Sequence, residues 1–290
     1  AIVMSEGEIN SIEEVRVDDK VVTFASSLSD GTEVEVGSGD SNFYKNSESL
    51  IRIQPFFGTD NQSASSLLST LSSWGSNHRL RGLCYLALRF KWNQDAFTGI
   101  PKVQAKIKGK KVVTLASNLS EQTASFSTNP AFCLLDYLRN ERYGKGIATS
   151  EIDLQSFYDA SQVCVTQVTP YSGASDINIF DTNTVLDTSQ KIIDNVRELL
   201  KGCRGYLPYT GGKYRLIIET TGSASITLTE DDIIGGYNLS IPTKNERYNR
   251  VIVGFVNPDR NFQVDEVQFP PVDDSGLTSA DQHATMKTAD

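Results

Sequence analysis

The sequence predicts a β-rich α+β protein because its residue pattern changes period twice: strand-like alternation to about residue 125, helical spacing over 126–204, then alternation again from 205. In the first region, residues 9–17, 20–24, 32–36, 83–92 and 103–115 place β-branched and aromatic side chains in alternation, as half-buried strands do. Asp18-Asp19 before Lys20, and Asp30-Gly31, read as turns. Segments 37–46 and 58–76 are rich in Ser, Gly, Asn and Asp and read as loops. In the second of them Leu67, Leu68, Leu71 and Trp74 fall at i, i+1, i+4 and i+7, which predicts one or two amphipathic helical turns.

The middle region carries three helix signals. Asn129-Pro130 is a start: Asn at the N-cap accepts an orphan amide bond, and Pro at the first helical position has no amide to leave unpaired. Ala131, Leu134, Leu135 and Leu138 follow as one apolar stripe, and Gly144 is expected to close the helix with a left-handed turn. Ser150 or Asp153 caps a second helix that turns Leu154, Phe157, Ala160 and Cys164 inward. A third begins near Thr188, with Ile192, Ile193, Val196, Leu199 and Leu200 on one face and Gly202 at its stop.

After Gly205, residues 206–210, Gly211-Gly212 and 213–220 read as strand, two-residue turn and strand. Segment 225–228 is extended, and Thr229 caps a one-turn helix of Glu230, Asp231 and Asp232 that ends at Gly235-Gly236. Residues 248–256 and 263–269 read as strands, with Asn257-Pro258-Asp259 turning between them. The expected domains are 1–125, β-rich; 126–204, helical; and 205–290, a second β-domain truncated at its C-terminus.

Composition narrows the function classes. Lysine plus arginine number 27 against 36 acids, a formal net charge of −9 across 290 residues, which argues against specific nucleic-acid binding through phosphate contacts. Lys106, Lys108, Lys110 and Lys111 alternate with apolar residues and read as a solvated strand face or turn. Uncharged apolar runs such as 82–88 fall far short of the roughly 18 residues of a membrane-spanning helix. Residues 1–4 are apolar, but Glu6, Glu8, Glu13 and Glu14 follow at once, so no secretory signal is read. Ala1 in first place reads as a processed or trimmed chain, and the polar stretch beyond Pro271 reads as a stop in mid-fold. Cys84, Cys133, Cys164 and Cys203 are too far apart for a CxxC pair, and their apolar neighbours make them reduced core thiols.

The inventory for catalysis is thin. His78 follows Ser76 by two positions, but no G-x-S-x-G elbow exists, so His78 reads as a surface-loop residue; His283 lies in the polar tail. Glu230, Asp231 and Asp232 could pair for glycoside cleavage or metal binding, but acids in a helix's first turn also oppose its positive dipole end, which is the reading taken. Gly37-Ser38-Gly39 lacks the third glycine of a dinucleotide loop, and Gly109-Lys110 lacks the rest of a phosphate loop. Asn61, Asn118 and Asn238 open Asn-x-Ser sequons that read as chance. The expectation is no catalytic, cofactor-binding or metal-binding residue, no cofactor, and no enzyme activity.

Several segments together resemble one family. Glu6 to Ile12 with Asp18-Asp19, then Arg81 to Leu86, then Gly99 to Val103 with Lys108 to Val112, are similar to stretches of the tail-tip attachment (host-specificity) protein J family of long-tailed phages. The fullest likeness runs from Asn129-Pro130-Ala131 through Asp136-Tyr137-Leu138 to Tyr143-Gly144-Lys145-Gly146, and on to Ile152-Asp153, Ser156-Phe157 and Cys164. Cys203-Arg204-Gly205, Gly212-Lys213-Tyr214 and Arg247 to Val251 continue it in order.

This resemblance implies β-barrel-like, baseplate-hub-like domains with an intervening helical layer, the first of them a hub or tube domain. It implies a structural virion protein that forms a homotrimer, closes the distal end of the tail tube and opens for DNA passage. Implied partners are the tail tube, distal tail and tape-measure proteins and other tail-tip subunits; the host receptor is met only through parts not present here. The implied place is the distal end of the virion tail, assembled in the host cytoplasm. Two other classes stay open: a receptor- or glycan-binding module, which predicts exposed aromatic platforms (Trp74 is one candidate, whereas Trp92 reads as strand core), and a tail-associated cell-wall hydrolase, which predicts converging acids or histidines.

Overall fold

The structure, a computed structural model, describes residues 1–169, 175–220, 222, 226–236, 238–241, 243, 251–257, 260 and 263–269. The chain divides into two compact units, Ala1–Thr221 and Gly222–Asp290. In the first unit the strands run β1 (Ile2–Glu6), β2 (Ile9–Val17), β3 (Lys20–Val21), β4 (Val34–Glu35), β5 (Tyr44–Lys45), β6 (Glu48–Ser49), β7 (Ile51–Phe57), β8 (Leu83–Phe90) and β9 (Val103–Lys110). Then come α1 (Pro130–Arg139), α2 (Leu154–Cys164), β10 (Gln167–Val168), β11 (Ile177–Asn178), α3 (Ile192–Lys201), β12 (Gly205–Tyr206), β13 (Tyr209–Thr210), β14 (Lys213–Tyr214) and β15 (Ile217–Ile218). The second unit holds β16 (Val251–Asn257) and β17 (Gln263–Phe269).

The first nine strands build a barrel-like lobe. One sheet has the order β1-β8-β7-β4 and the other β3-β2-β9, all antiparallel. Past β3 the chain pairs with the end of β4, through the Phe24–Val36 bridge and bonds from Ala25 N–H to Glu35 O and from Gly37 N–H to Thr23 O. On the other side β1 lies beside β9. Ile9, Ile12, Val15, Val34, Ile53, Cys84 and Leu86 fill the interior, each under a tenth exposed. Ile12 and Val15 are three apart yet both face inward, because the β2–β9 register shifts between Ile12 and Glu14. Glu13 is the extra residue of that bulge, and it resets the two-residue period.

Strand β7, at the centre of its sheet, has no alternation to read. Ile53 faces the barrel interior, while Phe56 faces the opposite side and stacks on Tyr85 at 4.5 Å. A strand buried on both faces loses its polar residues and therefore its period. Pro55 is tolerated there because its carbonyl, and so its missing amide, points toward the 29–31 turn, where Gly31 N–H donates to Pro55 O at 2.7 Å. The ladder to β8 loses nothing.

The outer face of β7 and β8 is covered by loop 58–82, for which the leucine spacing predicts helical turns. It forms consecutive turns instead: Leu67 and Leu68 are buried against Phe56, Tyr85 and Ala87, while Leu71 is 53% exposed. One helical bond forms, from Ser69 N–H to Ser65 O at 3.1 Å. The bonds that follow, from Leu71 N–H to Leu68 O and from Trp74 N–H to Leu71 O, span only three residues, so no helix continues; side chains meet the first amides. Gln54 Oε1 accepts from Leu67 N–H at 3.2 Å and Ser65 Oγ from Leu68 N–H at 3.2 Å.

The helical lobe follows its sequence signals closely. Asn129 accepts from Ala131 N–H at 3.1 Å, and its own amide donates to Ser161 O at 3.0 Å, so one side chain caps α1 and ties it to α2. Asp153 is the N-cap of α2, and Phe157, Ala160 and Cys164 are buried. Helix α3 starts later than its spacing predicts: Val196 and Leu199 are buried, whereas Ile192 and Ile193 are 39% and 51% exposed.

Gly144 is also corrected. Helix α1 ends at Arg139 with Asn140 as its C-cap, and the left-handed residue is Gly146, at φ 69°. Gly144 is needed for a different reason: a Cβ there would lie 1.8 Å from the Tyr137 carbonyl oxygen.

Strands β12 to β15 belong with these helices rather than with the chain beyond them. Leu216 and Ile218 join the helical core, Leu216 N–H donates to Ser156 Oγ at 3.0 Å, and Asp153 N–H donates to Tyr214 O at 2.9 Å. The composition boundary near Gly205 is therefore not a contact boundary, which falls at Thr221. The hairpin turn forms as its glycines predict, with Gly211 and Gly212 at φ 61° and 80°, the pair of left-handed residues such a turn requires.

In the second unit Thr229 opens the short Glu230–Asp232 turn, and β16 pairs with β17 over seven residue pairs. Val251, Val253, Phe255 and Val267 lie on one face of that ribbon. Ser225, residues 248–250, the Pro258-Asp259 turn and His283 lie outside the described residues.

Candidate functional site

The residues weighed for catalysis are engaged in local structure. His78 Nδ1 accepts from Gly75 N–H at 2.9 Å and its ring stacks on Trp74 at 5.2 Å, while the Ser76 carbonyl accepts from Arg79 Nε at 3.0 Å. Asp232 Oδ2 accepts from Thr229 N–H at 2.8 Å and from Thr229 Oγ1 at 3.0 Å; these bonds hold its carboxyl below the usual range. Asp18 Oδ1 accepts from Lys102 N–H at 2.8 Å, and Asp30 Oδ1 from Phe57 N–H at 2.7 Å. Asp40, just past Gly37-Ser38-Gly39, takes the amides of Thr23, Asn42 and Phe43. Gly109 lies within β9. Asn118 Oδ1 accepts from Ser120 N–H at 3.0 Å, whereas Asn61 and Asn238 are exposed. Among the described residues no group of three or more His, Cys, Asp or Glu side chains is placed to hold a metal ion. Nor is any helix among them long and apolar enough to cross a membrane.

The lysine run lies on β9 and the residue after it, opposite acids of β2 and the residue before it. Lys108 pairs with Glu13 at 3.1 Å, Lys111 with Glu8, and Lys110 leaves the sheet for α1. The four cysteines are free. Burial first, then the charge of Asp30, pushes Cys84 from 9.0 up to about 12; burial first, then Cys203, does the same for Cys164. A thiol that keeps its proton longer when folded contributes stability that is fully present below the unfolded value and lost as pH rises through the folded one. The urea midpoint is therefore expected to fall between about pH 9 and about pH 12, and serine at Cys84 and Cys164 should flatten that fall. A midpoint flat across that range in the parent chain would contradict the assignment.

The most concentrated polar site is the seam between the two lobes. Lys110 Nζ lies 3.3 and 3.1 Å from the two Asp136 oxygens, touches the Tyr143 hydroxyl, and sits 4.6 Å above the Tyr143 ring centre. The Tyr143 hydroxyl in turn donates to Asp136 Oδ2. Burial first, then this bond, pushes the Tyr143 hydroxyl upward, so it stays protonated and a donor. Beside this triad Arg142 pairs with Glu6, and Arg139 with Glu121 at 2.6 Å.

A cavity of about 360 Å³ adjoins the seam, lined by Asp136, Arg139, Asn140 and Glu141 among others. The apolar clusters of the barrel and helical lobes share no buried residue, so this charged contact is a strut between separately built cores. Asp136→Asn is expected to cost about 1–2 kcal/mol in urea unfolding, the worth of a partly exposed charge-assisted bond. An unchanged midpoint would show that the contact carries no load between the lobes. Asp136 and Tyr143 stand within the stretch carrying the family resemblance, but no local spacing rule assigns them to a lysine 26 and 33 residues earlier.

Trp92 also needs correction. Strand β8 ends at Phe90, the chain turns at Asn93, and the indole is 64% exposed rather than core. A second cavity of about 480 Å³ is lined by Asn77, Arg79, Leu80 and Arg81.

No family model matches the sequence. The chain is 26% identical over 257 residues to baseplate hub protein pb3 of Escherichia phage T5, covering 78% of this chain and 27% of that protein. It is 23% identical over 186 residues to tip attachment protein J of Escherichia phage SECphi27, covering 58% of this chain and 15% of that protein. The chain is a relative of phage tail-tip hub proteins. It spans 27% and 15% of the length of these two relatives.

Among solved structures, a chain from the virion of a native gene transfer agent particle matches with a TM-score of 0.50 at 15% identity, over 99% of this chain and 60% of that one. That match speaks for the fold: a strand-rich α+β chain of several sheets with helices between them. The barrel lobe and the helical lobe of this hub relative are thus joined by the Lys110–Asp136–Tyr143 strut.

Proposed function

We propose that this chain is a structural component of the phage virion, built into the distal end of the tail as part of a central hub. The observation that carries this is the sequence likeness to a baseplate hub protein across 78% of the chain. Within that reading the chain forms a homotrimer that closes the tail tube and opens for DNA passage. Its partners are the tail tube, distal tail and tape-measure proteins and further tail-tip subunits. It is not an enzyme, it works without a cofactor, and 1–125, 126–204 and 205–290 are successive sequence segments of the hub rather than separately packed units, since 205–221 packs with the helices. The net charge of −9 supports the passage role, because an acidic wall repels a transiting duplex and keeps it moving.

Electron microscopy of intact particles carrying a tag on this chain tests the placement: threefold density at the tail end is expected, and density elsewhere on the particle overturns it. A channel wall lined by lysine and arginine would contradict the repulsion argument alone. A second reading, a glycan- or receptor-binding module, is favoured by one observation, the exposed Trp92 indole. Glycan arrays probed with the chain and with Trp92→Ala separate the two readings; signal that disappears with the indole would support the module.

A further inference from the structure

Most arginines among the described residues already have a carboxylate. Arg52, Arg139, Arg142 and Arg215 each form an ion pair, within a fold whose acids outnumber its bases. Among the described residues Arg79, Arg81, Arg89 and Arg204 form no ion pair, and loop 77–81 brings two of them to one cavity. Arg79 and Arg81 both line the cavity of about 480 Å³, together with Asn77 and Leu80, and among the described residues neither guanidinium has an acidic partner. Arg79 uses its Nε on the Ser76 carbonyl at 3.0 Å, which leaves its terminal nitrogens unengaged; Arg81 is exposed.

The rim is held in place. Buried Gln62 donates its side-chain amide to the carbonyls of Arg79 at 2.9 Å and Leu83 at 3.1 Å, and it also bonds Leu80 O. Leu80 is kept at φ 48°, a left-handed conformation that costs a leucine about 1–3 kcal/mol and persists only where neighbours enforce it. The same loop carries Trp74, whose indole N–H is buried without an acceptor. Among the described residues, two guanidinium groups without an acidic partner thus share one preorganised rim.

We propose that the 77–81 rim is a docking site for a carboxylate-bearing peptide segment of a protein partner. Guanidinium groups match carboxylates in a two-point fork, and the Asn77 amide adds a further donor. Leu80 supplies an apolar floor suited to a side chain beside the acid. A nucleic-acid duplex is a poorer fit, since its affinity comes from many phosphate contacts and two arginines on a chain of charge −9 supply few. This inference does not depend on the tail-tip placement.

The test uses the whole chain and a fluorescein-labelled peptide of alternating glutamate and leucine, followed by anisotropy. Binding that weakens with added salt is expected, with about a tenfold loss in the Arg79→Glu/Arg81→Glu variant and a smaller loss in Arg79→Lys/Arg81→Lys, which keeps charge but not the fork. Arg81→Ala, at an exposed side chain, serves as the folded variant should the double reversal not fold, and it must also weaken binding. Lys45→Glu, a charge reversal away from the rim, should bind as the parent does. No peptide binding, equal binding by parent and Arg81→Ala, or displacement of the peptide from the rim by a duplex oligonucleotide would each overturn the proposal.

Discussion

Replacing Gly58 by alanine is expected to destabilise the barrel lobe by about 3 kcal/mol or more, enough to erase a large part of an ordinary domain's stability. Gly58 sits at φ 89°, which alanine adopts only under strain. An ideal Cβ there would also lie 2.4 Å from the Gly7 carbonyl oxygen and 3.0 Å from the Cys84 amide nitrogen, both main-chain atoms. Gly7 links β1 to β2 and Cys84 lies in β8, so relief of the clash requires strands to separate. The control is Gly39→Ala, where an added Cβ meets nothing within 4 Å. Urea unfolding should separate the two variants clearly; equal midpoints would show that the approach of these strands is looser than described.

Phe157→Ala is the second large effect, at about 3–5 kcal/mol, since the ring is 0% exposed at the centre of the helical core. Its more informative consequence is where the loss falls. The two lobes of the first unit keep separate apolar clusters and meet through ion pairs. Both tryptophans, Trp74 and Trp92, lie on the barrel side, whereas the three α-helices among the described residues lie on the other. Helical circular dichroism should therefore lose its signal at lower urea in Phe157→Ala, while tryptophan fluorescence keeps its parental midpoint. Coincident shifts in both signals would mean that the strut couples the lobes into one cooperative unit.

The parts of the fold legible in the residue pattern are those with a local cause. Asn129-Pro130 and Asp153 begin helices because a cap is made within three residues of itself. Strand β2 is legible to its ends from its β-branched residues, although the bulge at Glu13 spaces the buried Ile12 and Val15 three apart. Strand β7 escapes because both of its faces are buried, and the leucines of loop 58–82 mislead because contact with Phe56, Tyr85 and Ala87, rather than a continuing helix, sets which of them are buried. The candidate site is less legible still. Lysines on β9 show as a charge run, but nothing near Lys110 in sequence points to Asp136, and Arg79 and Arg81 stand among ordinary loop residues.

By itself the sequence determined the β-rich character, the three helices, the Gly211-Gly212 turn and the net acidity, together with the order of motifs that resembles hub proteins. Each of these depends on neighbours a few residues apart or on totals over the chain. Tertiary structure alone decided the inter-sheet pairing of Phe24 with Val36, the exposure of Trp92, the need for glycine at 144, the strut at Lys110 and the cavity that Arg79 and Arg81 line together. Those features arise where residues distant along the chain share space, and burial, close approach and charge pairing are properties of that shared space.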